Sequence, residues 1–528
     1  MGKAKYQKWY NTIKCLKYKQ IYYRLFYFVR NRFFSKKTYK SLNKEVNGLV
    51  WNGKEIYFQN AFHEAQKFEF LNLQHDFTNK IDWNYNGFGK LWTYNLNYFD
   101  FLNQKNIATK KGLDLIQDYM GTESQLQDGL EPYPISLRGI NWIKFLSRNQ
   151  IRDHAINQTL YKHYQRLHRN LEYHLLGNHL LENGFSLFFG AYYFKSEQFY
   201  RESKKILETE LKEQVLDDGA HFELSPMYHQ ILLHRLLDCI NLAQRNPWKE
   251  DGLLPFLKEM ATKMLSWLDN ITYNNGEIPM VNDAAHGIAP NTKEIMEYAT
   301  YMGLKWNTSC LGASGYRKFD KNGFEVVMDV GNVGPDYQPG HAHSDTLSFE
   351  MYLDQNPFIV DTGTSTYEKN QIRQRERETA AHNTVKLGHK EQTQVWGGFR
   401  VAKRARIISL EVNDISVMAS HDGYAPSIHQ REFKFVDDAL IINDNISNQK
   451  EDATAYFHLH PNVNNINPKG NCIEFPDDGV EIHFEGTNIG IALHPCKIAS
   501  GFNRLEEARM ITVDFDKTLK TTIRRRLL

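Results

Sequence analysis

Near residue 310 the spacing of apolar residues changes from a helical interval to a period of two. A chain that does this cannot be one uniform fold. Before the switch, from about 99 to 301, stretches such as 198–215 and 226–243 repeat apolar residues every three or four positions. Their breaks carry turn residues, for example Asp217-Asp218-Gly219 and Asn274-Asn275-Gly276. Many helices joined by short turns predict stacked α/α hairpins. After the switch, alternating or continuous apolar runs fall at 324–330, 347–353, 406–412, 432–436, 439–443, 454–459 and 479–484. They predict short antiparallel strands. The expected architecture is multidomain α+β: an N-terminal incomplete α/α toroid over 41–309, then an antiparallel β-sandwich over 310–528.

Residues 1–40 stand apart as a basic extension, dense in Lys and Arg with Tyr and Phe between them. The run 21–29 is too short, and too interrupted by Arg24, to span a bilayer. It also lacks the long apolar core and small-residue cleavage site of a secretory signal. Two readings remain: a solvated basic arm, or a surface helix touching anionic lipid. The absence of a recognisable signal favours a cytoplasmic location, membrane-associated or free, with the periplasm as the alternative. The net charge of +2 on the whole chain gives no ground for a nucleic-acid partner. Five scattered cysteines, an odd number with no Cys-x-x-Cys pair, argue against a disulfide framework and a cysteine zinc site.

Four clusters can carry chemistry. In 177–184 (GNHLLENG), Gly177 reads as the cap of a preceding helix and Asn183-Gly184 as a turn, so Asn178, His179 and Glu182 are expected where the chain turns between helices. In 218–229, Ser225 suits an N-cap and Pro226 the first helical position. Tyr228 then falls in the first turn, where the helix dipole offers one route to a lowered phenol pKa. Gly340-His341-Ala342-His343 precedes a predicted strand. Asp361 ends an apolar run, and His382 lies in a small-residue stretch. His343, Asp361 and His382 together make an acceptable zinc ligand set, although their spacing matches no generic motif.

These clusters resemble the heparinase II/III-like polysaccharide lyases, alginate-lyase-like members included. The resemblance also takes in 91–99 (LWTYNLNYF), 131–138 (EPYPISLR), 279–284 (PMVNDA) and 396–399 (WGGF), and covers roughly 65–405. It implies a cleft between the toroid and the sheets, and cleavage of a uronic-acid-containing glycan by β-elimination. By resemblance, Asn178 and His179 meet the uronate carboxylate, and Tyr228 and His341 are the catalytic base and acid in an order left open. Glu182 matches an acidic cleft residue. His343, Asp361 and His382 match a structural site for a divalent metal, usually zinc. Arg138 is a further candidate anion contact. The implied partner is an acidic polysaccharide or oligosaccharide. Two other readings are a toroid glycoside hydrolase using Glu182, Glu223 or Asp218, and a non-catalytic glycan-binding protein of surface-polysaccharide assembly.

Overall fold

A computed structural model describes residues 2–33, 38–43, 45–51 and 53–526. Two N-terminal helices, α1 (Gly2–Ile13) and α2 (Tyr18–Phe33), pack on the outside of the body. A small antiparallel sheet follows, of β1 (Phe62–His63), β2 (Lys67–Phe70) and β3 (Leu73–Asp76).

The toroid is built from α3 (Lys90–Tyr98), α4 (Thr109–Thr122), α5 (Pro132–Arg148), α6 (His154–Arg169), α7 (Gly177–Phe194), α8 (Glu197–Gln214), α9 (Pro226–Arg245), α10 (Leu253–Ile271) and α11 (Thr292–Tyr301). Helices α8 and α9 match the expected stretches within a residue or two. Their starts follow the caps: Ser196 accepts the Phe199 N–H, and Ser225 accepts the Tyr228 N–H at 3.4 Å with Pro226 at the first helical position. Helices α5 and α7 are buried nearly all round, as inner helices of a toroid must be.

The cluster 177–184 departs from expectation. Gly177 opens α7 rather than closing an earlier helix, and Asn183-Gly184 lies inside α7. A Cβ on Gly184 would sit 2.7 Å from Ile206 Cγ2, so this glycine lets α8 close in. Asn183 accepts the Glu172 N–H and donates to Glu172 Oε2. Tertiary packing overrides the turn signal here.

Beyond α11 the regular structure is almost all strand, apart from a short helix, Gln371–Glu376. A four-stranded antiparallel sheet runs β4 (Tyr316–Lys321), β5 (Phe324–Asp329), β6 (Phe349–Leu353), β7 (Asn356–Ile359). It packs on a ten-stranded sheet whose centre is two 22-residue strands, Val480–Gly501 and Arg504–Arg525, paired along their length. Phe324, Val326 and Met328 from the first sheet share one core with Phe433, Ile442 and Val513 from the second. Alternation in 428–436 and 439–447 sends every second residue into that core. The fold is an incomplete α/α toroid followed by an antiparallel β-sandwich.

Candidate active site

A cavity of about 820 Å³ opens between the toroid and the sandwich. Asn178, His179, Tyr228 and His341 all line it. The chain reaches this cavity through residues with positive φ. Leu176 (φ 65°) and Gly177 (φ 58°) precede Asn178, Leu224 (φ 57°) precedes Ser225, and Asn282 (φ 54°) precedes Asp283. Gly177 has a second reason to lack a side chain. A Cβ there would come within 2.6 Å of Glu223 Oε1, which accepts the Asn178 N–H at 2.9 Å.

The side chains converge tightly. The rings of Tyr228 and His341 are 3.9 Å apart between centroids. Asn178 Nδ2 lies 3.5 Å from His341 Nε2 and donates to Glu223 at 3.0 and 2.8 Å. The Asn178 amide thus sits between the Glu223 carboxylate and His341 Nε2. His341 Nδ1 is 2.8 Å from Asp283 Oδ2, and its Nε2 is 3.3 Å from Glu223 Oε2. His179, with 35% of its side chain exposed, sets Nδ1 3.1 Å from Glu172 Oε1. Desolvation would lower its pKa, but the charge and hydrogen bond of Glu172 prevail and raise it. His179 is therefore biased towards imidazolium.

Asp283 holds the site together. Its carboxylate takes His341 on Oδ2, His343 Nε2 on Oδ1 at 2.8 Å, and a two-pronged contact from Arg373, with Nη2 to Oδ2 at 2.7 Å. Burial would raise this carboxyl, but Arg373 and the histidines outweigh it and hold it well below the usual range. The Asp283 carbonyl accepts from Ser225 Oγ at 3.0 Å, which ties the cap of α9, and so Tyr228, to the same residue.

The phenol of Tyr228 does not behave as its helix position suggested. Burial raises its pKa, and this outweighs the Tyr367 hydroxyl 3.3 Å away, which lowers it. With its pKa raised above the ordinary phenol value, the phenol keeps its proton at neutral pH.

Two expected contacts lie elsewhere. Arg138 is wholly buried in α5. It donates to the Asn97 and Gly129 carbonyls at 3.0 and 2.9 Å and stacks over Tyr119, so it fastens α3 and the 129 turn and does not reach the cavity. Glu182 is fully buried behind Arg235, whose Nε is 3.2 Å away. Arg235 itself lines the cavity, so Glu182 acts through it. Burial pushes the Glu182 carboxyl up against the pull of that arginine. Asp218 accepts from Gly312, Ser314 N and Ser314 Oγ, and serves the fold.

Sequence reasoning missed Arg235, Asp283, Arg373, Tyr367 and Glu172. Arg235 was findable: it follows Tyr228 and Ile231 along one face of α9, and all three line the cavity. The resemblance blocks fall here too. Tyr94 and Tyr98 of α3, Tyr133 of α5 and Phe399 supply aromatic wall. Trp9 and Ile13 of α1 and Leu16 just after it also line the cavity.

The expected metal ligands lie deeper. His382 Nδ1 is 2.7 Å from Asp361 Oδ2, and the His343 and His382 rings are 5.3 Å apart. His343 Nδ1 and His382 Nε2 are buried with no hydrogen-bond partner. Among the described residues, three donors within 4.8 Å of one another occur only at Cys472, Glu481 and His483, on the sandwich.

Comparison with known proteins agrees with this architecture. The heparinase II/III N-terminus profile matches residues 135–303, and the heparinase II/III-like C-terminal profile matches 305–525. The chain is 24% identical over 338 residues to a heparin-sulfate lyase of Bacteroides stercoris, covering 58% of this chain and 48% of that one. It is 22% identical over 466 residues to a heparin-sulfate lyase of Pedobacter heparinus, covering 81% and 66%. The matches thus span about half and just under two thirds of these relatives. In fold, it superposes on a heparinase III structure with TM-score 0.67 at 16% identity, covering 96% of this chain and 91% of that one. The heparan sulfate lyase HepC from Pedobacter heparinus gives 0.55 at 18%, covering 87% and 81%. With its helical and its strand halves both matched, the chain belongs to the heparinase II/III family.

Proposed function

We propose that this protein is a polysaccharide lyase that cleaves a uronic-acid-containing glycan by β-elimination. The observation that carries the reading is the meeting of Asn178, Tyr228 and His341 around one point of the cavity. Elimination needs three things at one sugar ring: a quenched carboxylate, a base at C5 and an acid at the leaving oxygen. Asn178, through its side-chain amide, and His179, whose pKa Glu172 raises, supply the first. With Nδ1–H given to Asp283, His341 presents Nε2 as the base. Tyr228, kept protonated by burial, donates to the leaving oxygen. The electron pair released at C5 forms the new double bond as the C4–O bond breaks, and the departing sugar carries the phenolic proton. Arg235 and the tyrosines of α3 and α5 offer charge and ring faces for neighbouring units of an acidic glycan.

The donor set His343, Asp361 and His382 suits a divalent cation, zinc by its ligand types. Burial lowers the His343 pKa, which keeps its unpartnered Nδ1 neutral, as a ligand must be. Such an ion would brace the loop carrying His341, with no part in the proton transfers. A cytoplasmic site of action, within surface-polysaccharide metabolism, is part of the same proposal.

The test is a panel of uronate polymers followed by ultraviolet absorbance. Elimination leaves a double bond conjugated with the carboxylate and incorporates no water oxygen. Chain shortening without that chromophore would instead mark a hydrolase.

A further inference from the structure

Residues 1–40 contain nine Lys, three Arg and no Asp or Glu, whereas the other 488 residues carry 52 basic against 62 acidic side chains. The molecule is thus an anionic body with a strongly cationic N-terminal segment. Its second helix, α2, is amphipathic in an unusual sense, because both of its faces are apolar or aromatic and only one is covered.

The inner face is accounted for. Gln20 donates to the Leu175 and Tyr337 carbonyls at 3.0 and 3.3 Å, Tyr23 stacks on Tyr173 at 4.7 Å, and Tyr27 donates to the Leu171 carbonyl at 2.6 Å. Positions 20, 23, 27 and 30 follow one helical stripe, and Arg30 ends it on Asn170. The opposite stripe runs through Tyr18, Ile21, Tyr22, Leu25, Phe28 and Val29, all exposed, with Leu25 at 62% and Phe28 at 69%. Helix α1 adds Tyr6 at 78% and Tyr10 at 67%. A contiguous apolar stripe on an outer helix calls for a partner.

We infer that this outward stripe of α2, with the cationic segment around it, docks on the surface of an anionic lipid bilayer. Charge selects the occupant. A second copy would set one cationic segment against another, and an acidic glycan has no apolar surface to match Leu25, Phe28 and Val29. A bilayer with anionic headgroups offers both: negative charge for Lys and Arg, and an interfacial zone that accepts tyrosine, phenylalanine and leucine. The contact is interfacial, since among the described residues no helix is long and apolar enough to cross a membrane. This inference is independent of the glycan chemistry.

Sedimentation of the full chain with vesicles tests it. The parent should pellet with phosphatidylcholine vesicles containing phosphatidylglycerol and stay in solution with phosphatidylcholine alone, and added salt should weaken the binding. Replacing Leu25, Phe28 and Val29 together by Asp should reduce partitioning by about tenfold or more, with an unchanged thermal melt because all three side chains face solvent. Hydrogen exchange over residues 18–33 should slow when the mixed vesicles are added to the parent. A parent that stays in solution with both vesicle types would overturn the inference, as would a triple variant that pellets like the parent. A vesicle-free dimer of the parent that the triple variant breaks would assign the stripe to a second copy instead.

Discussion

Asp283 and His341 come from opposite sides of the boundary between toroid and sandwich, 58 residues apart, yet Oδ2 and Nδ1 meet at 2.8 Å. Around that contact Tyr228, Asn178, His343 and Arg373 gather, and the proposed function gives the following expected outcomes.

Replacing Tyr228 by Phe removes the hydroxyl and nothing else. We expect elimination to fall by about 10²- to 10⁴-fold while circular dichroism and the thermal midpoint stay near the parent's. Turnover equal to the parent's would show that the phenol is not the proton donor.

Replacing Asp283 by Asn keeps the shape but removes the charge that balances buried Arg373. We expect a stability loss of about 3–5 kcal/mol in urea unfolding, as when one partner of a buried pair is lost. Activity should fall further than unfolding explains, because an amide can hold His341 in the wrong tautomer.

The cation at His179 depends on Glu172. Since Glu172 raises the imidazole pKa, Glu172→Gln should lower it. The alkaline limb of kcat/KM should then move to lower pH, while the acid limb stays in place. A pH–rate profile of the two proteins decides this.

Metal analysis of the purified protein should find about one zinc or similar ion per chain. His343→Ala should lose it together with thermal stability. A well-folded parent free of metal would remove that site from the proposal.

Arg138 gives a contrasting case. Replacing it by Ala leaves two buried carbonyls without donors, at a cost of about 2–3 kcal/mol, while KM for the glycan should not move. A large KM effect at unchanged stability would return Arg138 to the substrate.

Much of this was legible in the sequence. The change of period gave the fold class, and Ser225 with Pro226 placed Tyr228 in its first turn to the residue. Other parts were silent for physical reasons. Glu223 serves Asn178 from 45 residues away and Asp283 serves His341 from 58, so no local spacing announces either pairing. Arg138 misled because α5 is buried from 134 to 147, and an inner helix has no polar face to reveal which way a charge turns. Gly177 and Gly184 read as punctuation, whereas their missing side chains make room for Glu223 and Ile206. The raised pKa of Tyr228 depends on its burial between the toroid and the sandwich, which a helix-end argument does not contain.

The grip of Asp283 on His341, His343, Arg373 and Ser225 bears on how a polymer gets in. Swinging the two halves apart would pull His341 from Asp283 and leave Arg373 without its carboxylate. On the reading proposed above, a glycan would enter along the cavity rather than by parting the two halves, and Trp9, Ile13 and Leu16 are part of the wall it would meet.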